Sequence, residues 1–322
     1  MEDRDDADGR AVPPVTPAPS VTVCIPLYHH ADTVERALRS VLAQDHDDIE
    51  ILVVDDASSD RGAEIARGLI RDGDRVVVND VRLGAAGNHN RCIELARNEL
   101  IQFVHGDDEL LPDALSSLAA TFTHADVAMA FAPRRVVSDD PEFLRWCSVL
   151  HHRFRALGTV NRADDLITEY MLRGALNNWF GEPTSVMFRR SRAVRAGGFH
   201  TDMVQSFDMD LWLHVSTGGQ ITFVDRELSV RHHTGSTLSA ANQAEWKEWI
   251  DRPRLIWAVV ADSAMPWRAR LYGAIWTLNS HPLSMIYALR GQRGERLRRL
   301  RLVLGLPFHE FARARRIRAN RD

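Results

Sequence analysis

The chain has 322 residues, 45% hydrophobic and 26% charged, with a formal net charge of −4. Such a length buries a sizeable core in one large domain or one and a half, and the slightly acidic balance excludes the usual nucleic-acid binder, which is basic over its whole domain. Cys24, Cys92 and Cys147 show no CxxC spacing, which speaks against a disulfide framework or structural zinc and fits a reducing cytosol.

In chain order, residues 1–20 are acidic and then proline-rich; they read as a disordered lead and do not resemble a signal peptide. Four strand-like runs then alternate with helix-like ones. VTVCI (21–25) precedes a helix near 31–43, EILVV (50–54) one near 60–71, RVVVN (75–79) one near 88–97, and LIQFV (100–104) one near 112–122 that Pro112 can start. Short Val/Ile-rich runs between helices predict a mainly parallel sheet covered on both faces, an α/β fold. Further strands are expected at 127–132, 184–189 and 221–226, and helices near 163–173 and 207–217. From about Gln243 the pattern turns helical. No apolar run approaches the ~18 residues of a membrane span.

Ligands of open parallel sheets bind beyond the carboxyl ends of the strands. Those ends carry PLYHH (26–30), DDASSD (55–60), VRLGAAGNHN (81–90) and HGDDE (105–109). Carboxylates therefore gather at one edge beside small residues. No dinucleotide glycine fingerprint follows the first strand, and no P-loop is present. An acid-lined rim without a phosphate-cradling loop points to a divalent cation, Mg2+ or Mn2+, bridging protein and diphosphate.

IPLYHHADTVERALRSVLAQ, then ILVVDDASSD and a GDD turn, resemble the inverting family 2 glycosyltransferases of GT-A fold. GAAGNHNRC (84–92) and ARNELIQFVHGDDELLP (96–112) resemble a bacterial subgroup with G-x-x-x-N-x-N-R-C and H-x-D-D motifs. The resemblance covers roughly 20–240. It implies a GT-A domain over 21–240, with a nucleotide-sugar half at 21–125 and an acceptor half at 126–240, ahead of a helical extension at 241–322. Pro26 and Tyr28 would wall the base pocket, Asp56 would contact the base, and Gly84, Asn88 and Asn90 would line the donor. Asn90 reads equally as a helix-start residue, and Ser58, Ser59 and Asp60 as helix caps. Many relatives carry D-x-D-D where this chain has HGDD. Asp107 is then the metal ligand, Asp108 its support, and His105 a residue that contacts the donor.

GEPTSVMFRR (181–190), GGF (197–199) and FDMDLWLHV (207–215) follow the family's acceptor-side order. Phe207 replaces the first acid of a pair, and Asp208 aligns with the catalytic base, with Asp210 the fallback. Phe207, Leu211 and Val215 share one helical face and are expected to meet the core. Trp179 and Glu182 are candidates for acceptor contact and read equally as a packed aromatic and a loop acid. SVRHHTGSTLS (229–239) resembles R-x-H-x-G-S, whose histidine, here His233, can complete the metal or diphosphate site. The implied partners are a nucleotide-diphosphate sugar and a saccharide or lipid-linked acceptor, in bacterial polysaccharide or glycoconjugate synthesis. The arginine-rich stretch 291–322 suits an anionic membrane surface, which would place a cytoplasmic protein at the inner face, or else reads as a helical lid on the catalytic domain with a solvated basic face. Replacement of two family acids, at His105 and Phe207, keeps a non-catalytic sugar-nucleotide binder as the alternative.

Overall fold

A computed structural model describes residues 19–147, 150–233, 247–290 and 294–321. All but the last two residues of the expected disordered lead, and the Thr234–Ser239 part of the R-x-H motif, lie outside them. The four leading strands form where the Val/Ile runs stand: β1 (Val21–Leu27), β2 (Ile49–Asp55), β3 (Arg75–Val78) and β4 (Leu100–Phe103). They pair in parallel as β3-β2-β1-β4. Side chains alternate across such a strand. Val21, Val23, Ile25 and Leu27 thus join one core cluster under α1 (Val34–Leu42), while Cys24 joins a second under α3 (Ala85–Leu95). In α1, Val34, Ala37, Leu38 and Val41 make the buried stripe. The helix after β2 is α2 (Gly62–Arg67). Two boundaries differ from expectation. Helix α3 starts three residues early, which takes Asn88 and Asn90 into its interior. Helix α4 (Ala114–Ala119) starts only after Asp113, whose φ of 60° breaks the turn that Pro112 was expected to open.

The second half adds β5 (Glu109–Leu110), β6 (Val127–Phe131), β7 (Arg134–Ser138), α5 (Pro141–Cys147), β8 (Val160–Arg162) and α6 (Ala163–Leu172). Then follow β9 (Val186–Arg189), α7 (Arg190–Arg195), α8 (Phe207–Ser216), β10 (Gln220–Phe223) and β11 (Ser229–His233). The large sheet runs β3-β2-β1-β4-β9-β6-β10-β8, with β9 antiparallel to both β4 and β6. This is the mixed, mainly parallel α/β architecture read from the sequence. A smaller sheet, β5-β11-β7, stitches the chain after HGDD to the RHH segment. In helix α8 Leu211 and Val215 join the core and Phe207 packs against it, as expected, and Asp208 through Ser216 are all buried, so the helix has no solvated face opposite Leu211.

The chain ends in α9 (Asp251–Ala261), α10 (Trp267–Arg290) and α11 (Arg296–Arg321). Leu255, Ile256 and Val259 of α9 share the core cluster of Trp212. The Asp251 carboxylate accepts the backbone N–H groups of Val204, Gln205 and Ser206, just ahead of α8. On α10 the residues facing inward are small, among them Ala269, Gly273, Ser280 and Ala288. A Cβ at Gly273 would come within 2.8 Å of Val260, so the helix lies close. Its opposite stripe, Trp267, Leu271, Ile275, Leu278, Ile286 and Leu289, is exposed. No described helix is long and apolar enough to cross a membrane.

Candidate functional site

The HGDD turn follows β4, where the parallel strands end. His105, Asp107 and Asp108 each offer a ligand atom, all within 4.8 Å of one another. Gly106 is required between them, since a Cβ there would lie 2.8 Å from the His30 ring and from Leu27. Arg36 holds the turn from outside, donating to the Asp107 carbonyl at 2.8 Å. Among the described residues the Asp107 carboxylate has no hydrogen-bond or ion-pair partner, and it is only partly buried. Asp108 is buried and engaged: it accepts from Thr184 Oγ1 at 2.7 Å and from the His232 N–H at 3.2 Å. His105 Nδ1 stands 3.5 Å from its Oδ2. Burial works against the charged imidazole of His105, but the hydrogen bond and charge of Asp108 outweigh it and raise its pKa. Burial likewise opposes the Asp108 anion, yet His105 and Thr184 hold its carboxyl below the usual range. Two acids and an imidazole, one acid unpartnered, form a donor set that fits a divalent cation.

Helix α3 points three consecutive side chains three ways, about 100° apart. Asn88 Nδ2 donates to the Val54 carbonyl at 2.9 Å, and its Oδ1 accepts from Asn79. His89 Nε2 stands 3.1 Å from His105 Nε2. Asn90 exchanges two hydrogen bonds with the backbone of Phe199, at 2.7 and 2.9 Å. Asn88 and Asn90 therefore brace the rim from within α3, each bonded to neighbouring protein groups. Asp56 is buried and turned the same way, accepting the N–H groups of Leu83 at 2.7 Å and Gly84 at 2.8 Å and the Asn79 amide. It ties down the loop into α3, where Gly84 has a φ of 78°. Asp60 takes the capping role, accepting from Ala31 and Gly62. Pro26 is buried within β1, so the accessible wall is Tyr28, whose ring lies 3.9 Å beneath the Arg82 guanidinium.

Asp208 stands in the first turn of α8. Its neighbour Phe207 packs 5.7 Å from the His89 ring, which in turn bonds His105. Asn178 Nδ2 donates to Asp208 Oδ2 at 2.7 Å, and Asn178 Oδ1 is fixed by the N–H groups of Phe180 and Gly181. Burial pushes the Asp208 carboxyl up to about 7, with the nearby Glu182 charge adding to the rise. Asp210 shares the burial but not the outcome, because the Arg313 guanidinium grips both its oxygens and takes it down to about 2. Asp210 is thus held as an anion by Arg313.

Three expected residues are placed elsewhere. Trp179 lies in the core, 2% exposed, edge-on to Phe154 and Tyr170, with its indole N–H on the Leu176 carbonyl. Glu182 is buried between Arg134 and Arg231. Each is matched by a partner within the protein. His233 is outside the group of three; its ring stacks flat on Phe143, 3.6 Å between centroids. The third member of that group is His105 instead. His89, Asn178, Thr184 and Arg231 carry site geometry that sequence reasoning passed over. The Arg231 charge is felt by Asp108 and Asp208 alike. The available signal was position: His89 stands between the two asparagines of GNHN, and Arg231 is the first residue of RHH.

The model of "Glycosyl transferase family 2" matches residues 22–194. An uncharacterized Mycobacterium tuberculosis protein, MT1568, is 45% identical over 96% of this chain and 97% of its own. A Campylobacter jejuni GalNAc(5)-diNAcBac-PP-undecaprenol beta-1,3-glucosyltransferase is 36% identical over 31% of this chain and 33% of its own. Residues 1–349 of S. aureus TarS, in complex with UDP-GlcNAc, superpose with a TM-score of 0.65 over 94% of this chain and 88% of that one, at 17% identity.

Proposed function

Because the chain belongs to glycosyl transferase family 2, we propose that it transfers a sugar, with inversion, from a nucleotide-diphosphate donor to an acceptor hydroxyl in bacterial polysaccharide or glycoconjugate synthesis. What supports this reading is a cation-fit group, His105, Asp107 and Asp108, and a carboxylate raised to about 7 at Asp208, linked through Phe207 and His89 and both under the charge of Arg231. Asp208 takes the proton of the attacking hydroxyl, and its pKa suits a base working near neutrality. Asn178 keeps the accepting oxygen oriented. Tyr28 and Arg82 receive the base, while Asp56 and Gly84 shape the loop beside it. A divalent cation, Mg2+ or Mn2+, would offset the charge of the departing nucleoside diphosphate, and His105, Asp107 and Asp108 would hold it. One displacement exchanges the anomeric C–O bond to the diphosphate for one to the acceptor, so the configuration inverts.

The exposed stripe of α10, continued by Leu297, Leu304 and Phe308 on α11, supports a lipid-linked acceptor reached at the inner face of the membrane. Residues 267–322 hold thirteen arginines against Glu295, Glu310 and Asp322. Apolar side chains flanked by arginine suit an anionic bilayer surface. Leu278→Glu with Phe308→Glu should abolish co-flotation with phosphatidylglycerol vesicles, and equal flotation of both proteins would remove this part.

The reaction itself is tested by incubating UDP-, GDP- and dTDP-sugars with acceptor extracts and following nucleoside diphosphate release. Release is expected from the wild type, with Asp107→Ala losing cation-dependent donor binding. Binding without release under every cation would leave the non-catalytic reading in its place.

A further inference from the structure

His89 lies in the second turn of α3, enclosed by Phe103, Phe199 and Phe207 at 4.8, 5.1 and 5.7 Å between ring centroids. Its Nδ1 is 2.8 Å from the Ala85 carbonyl oxygen one turn earlier. A carbonyl only accepts, so Nδ1 carries the proton. The ring is buried among three phenyl groups, where an uncompensated charge is costly, so the form that fits is the neutral imidazole protonated on Nδ1 alone. Nε2 therefore presents a lone pair, and His105 Nε2, 3.1 Å away, must be the donor. The nitrogen of His105 left over is Nδ1, which faces Asp108 inside the group of three. A histidine ligand commonly has its tautomer set in this way by the bond its other nitrogen makes.

We propose that His89 is a positioning residue that fixes His105 with Nδ1 turned toward Asp107 and Asp108, and that the resulting nitrogen-plus-oxygen site selects a first-row transition-metal ion over Mg2+. The inference rests on the cation reading above. An aspartate at position 105 would give an all-oxygen site, which suits Mg2+; an imidazole in its place favours Co2+ and Mn2+, because Mg2+ exchanges water for nitrogen reluctantly. The cation takes the place of the Nδ1 proton, and His105 keeps its Nε2 proton on His89 throughout.

The test uses the full-length protein and metal salts alone. Calorimetric titration with CoCl2, MnCl2 and MgCl2 gives the affinity order, and pulsed electron paramagnetic resonance of the Mn2+ form shows whether a nitrogen is bound. The wild type should bind Co2+ and Mn2+ at least about tenfold more tightly than Mg2+, and Mn2+ should show nitrogen coupling. His105→Asp should abolish that coupling and bring Mg2+ level with Mn2+. His89→Phe should weaken Mn2+ binding about tenfold, whereas His89→Gln, whose amide oxygen can accept from His105, should restore it. If His89→Phe does not fold, the Gln variant and His105→Asp decide alone. Absence of nitrogen coupling in the wild type, or no Mn2+ binding, overturns the proposal, as does a His89→Phe protein with unchanged affinity and coupling. Sugar transfer that persists without nitrogen coupling sinks only this inference; coupling without sugar transfer sinks only the assignment of the reaction.

Discussion

Asp208→Asn should remove activity and raise stability together, which a purely structural acid would not do. In the folded protein the carboxyl sits at about 7, mainly because it is buried; in the unfolded chain it returns to ~4. A raised acid pKa costs stability above the unfolded value, because ionisation is then harder in the folded state. The penalty grows as pH rises from ~4 through ~7 and levels off above. Three units correspond to about 4 kcal/mol at pH 8 and to about 1.5 kcal/mol at pH 5. The neutral amide keeps the size and an acceptor for Asn178 but never carries the charge, so it should recover about 2–4 kcal/mol at pH 8 and little below pH 4. Paired denaturant unfolding of both proteins at pH 4, 5 and 8 measures the difference. Sugar transfer by the wild type should rise with pH through about 7 as the base ionises, and the variant should lose about 10²–10⁴-fold at every pH. Equal stabilities at pH 8, or a variant that keeps full turnover, would refute the reasoning.

Arg313→Met should cost about 3–5 kcal/mol by chemical denaturation, since it leaves the Asp210 anion buried without its partner, whereas Asp210→Asn combined with Arg313→Met should recover most of the loss. Gly198→Ala should be destabilising on two counts: its φ is +71°, and the new Cβ would lie 2.3 Å from Asn90 Oδ1. Adding Asn90→Ala to it should relieve the clash without restoring the wild-type melting temperature, because the Phe199 backbone loses both of its bonds. Asp56→Ala should strand the Leu83 and Gly84 N–H groups at about 1–3 kcal/mol and weaken donor binding, read by calorimetry with the preferred nucleotide; unaltered donor affinity would separate the loop from the pocket.

The first half of the fold was legible because β1, β2 and β4 are covered on both faces and are therefore apolar at most positions. Strand β7 was not, since RRVVS is alternately buried and exposed and its first arginine is buried by an ion pair to Glu182, 48 residues away. The same long-range pairing hid the fate of Glu182, and the packing of Phe154 and Tyr170 that of Trp179. Local pattern placed Asp107 and Asp208, which lie at a strand end and a helix start. It could not place His233, whose neighbour Phe143 stands 90 residues back in the chain. The start of α3 was missed for a smaller reason: its first turn lies three residues earlier than the pattern suggested, which takes both asparagines into the helix.

The grip that α9 and α11 keep on α8 bears on how relatives could be recombined. A fragment stopping near residue 240 would hold every motif the sequence displays. It would nonetheless lack Asp251, Arg313 and the leucine and isoleucine that Trp212 leans on. Chimeras that graft residues 126–240 from one family member onto another should carry their own tail with them, because the tail and the helix bearing Asp208 form one inheritable unit.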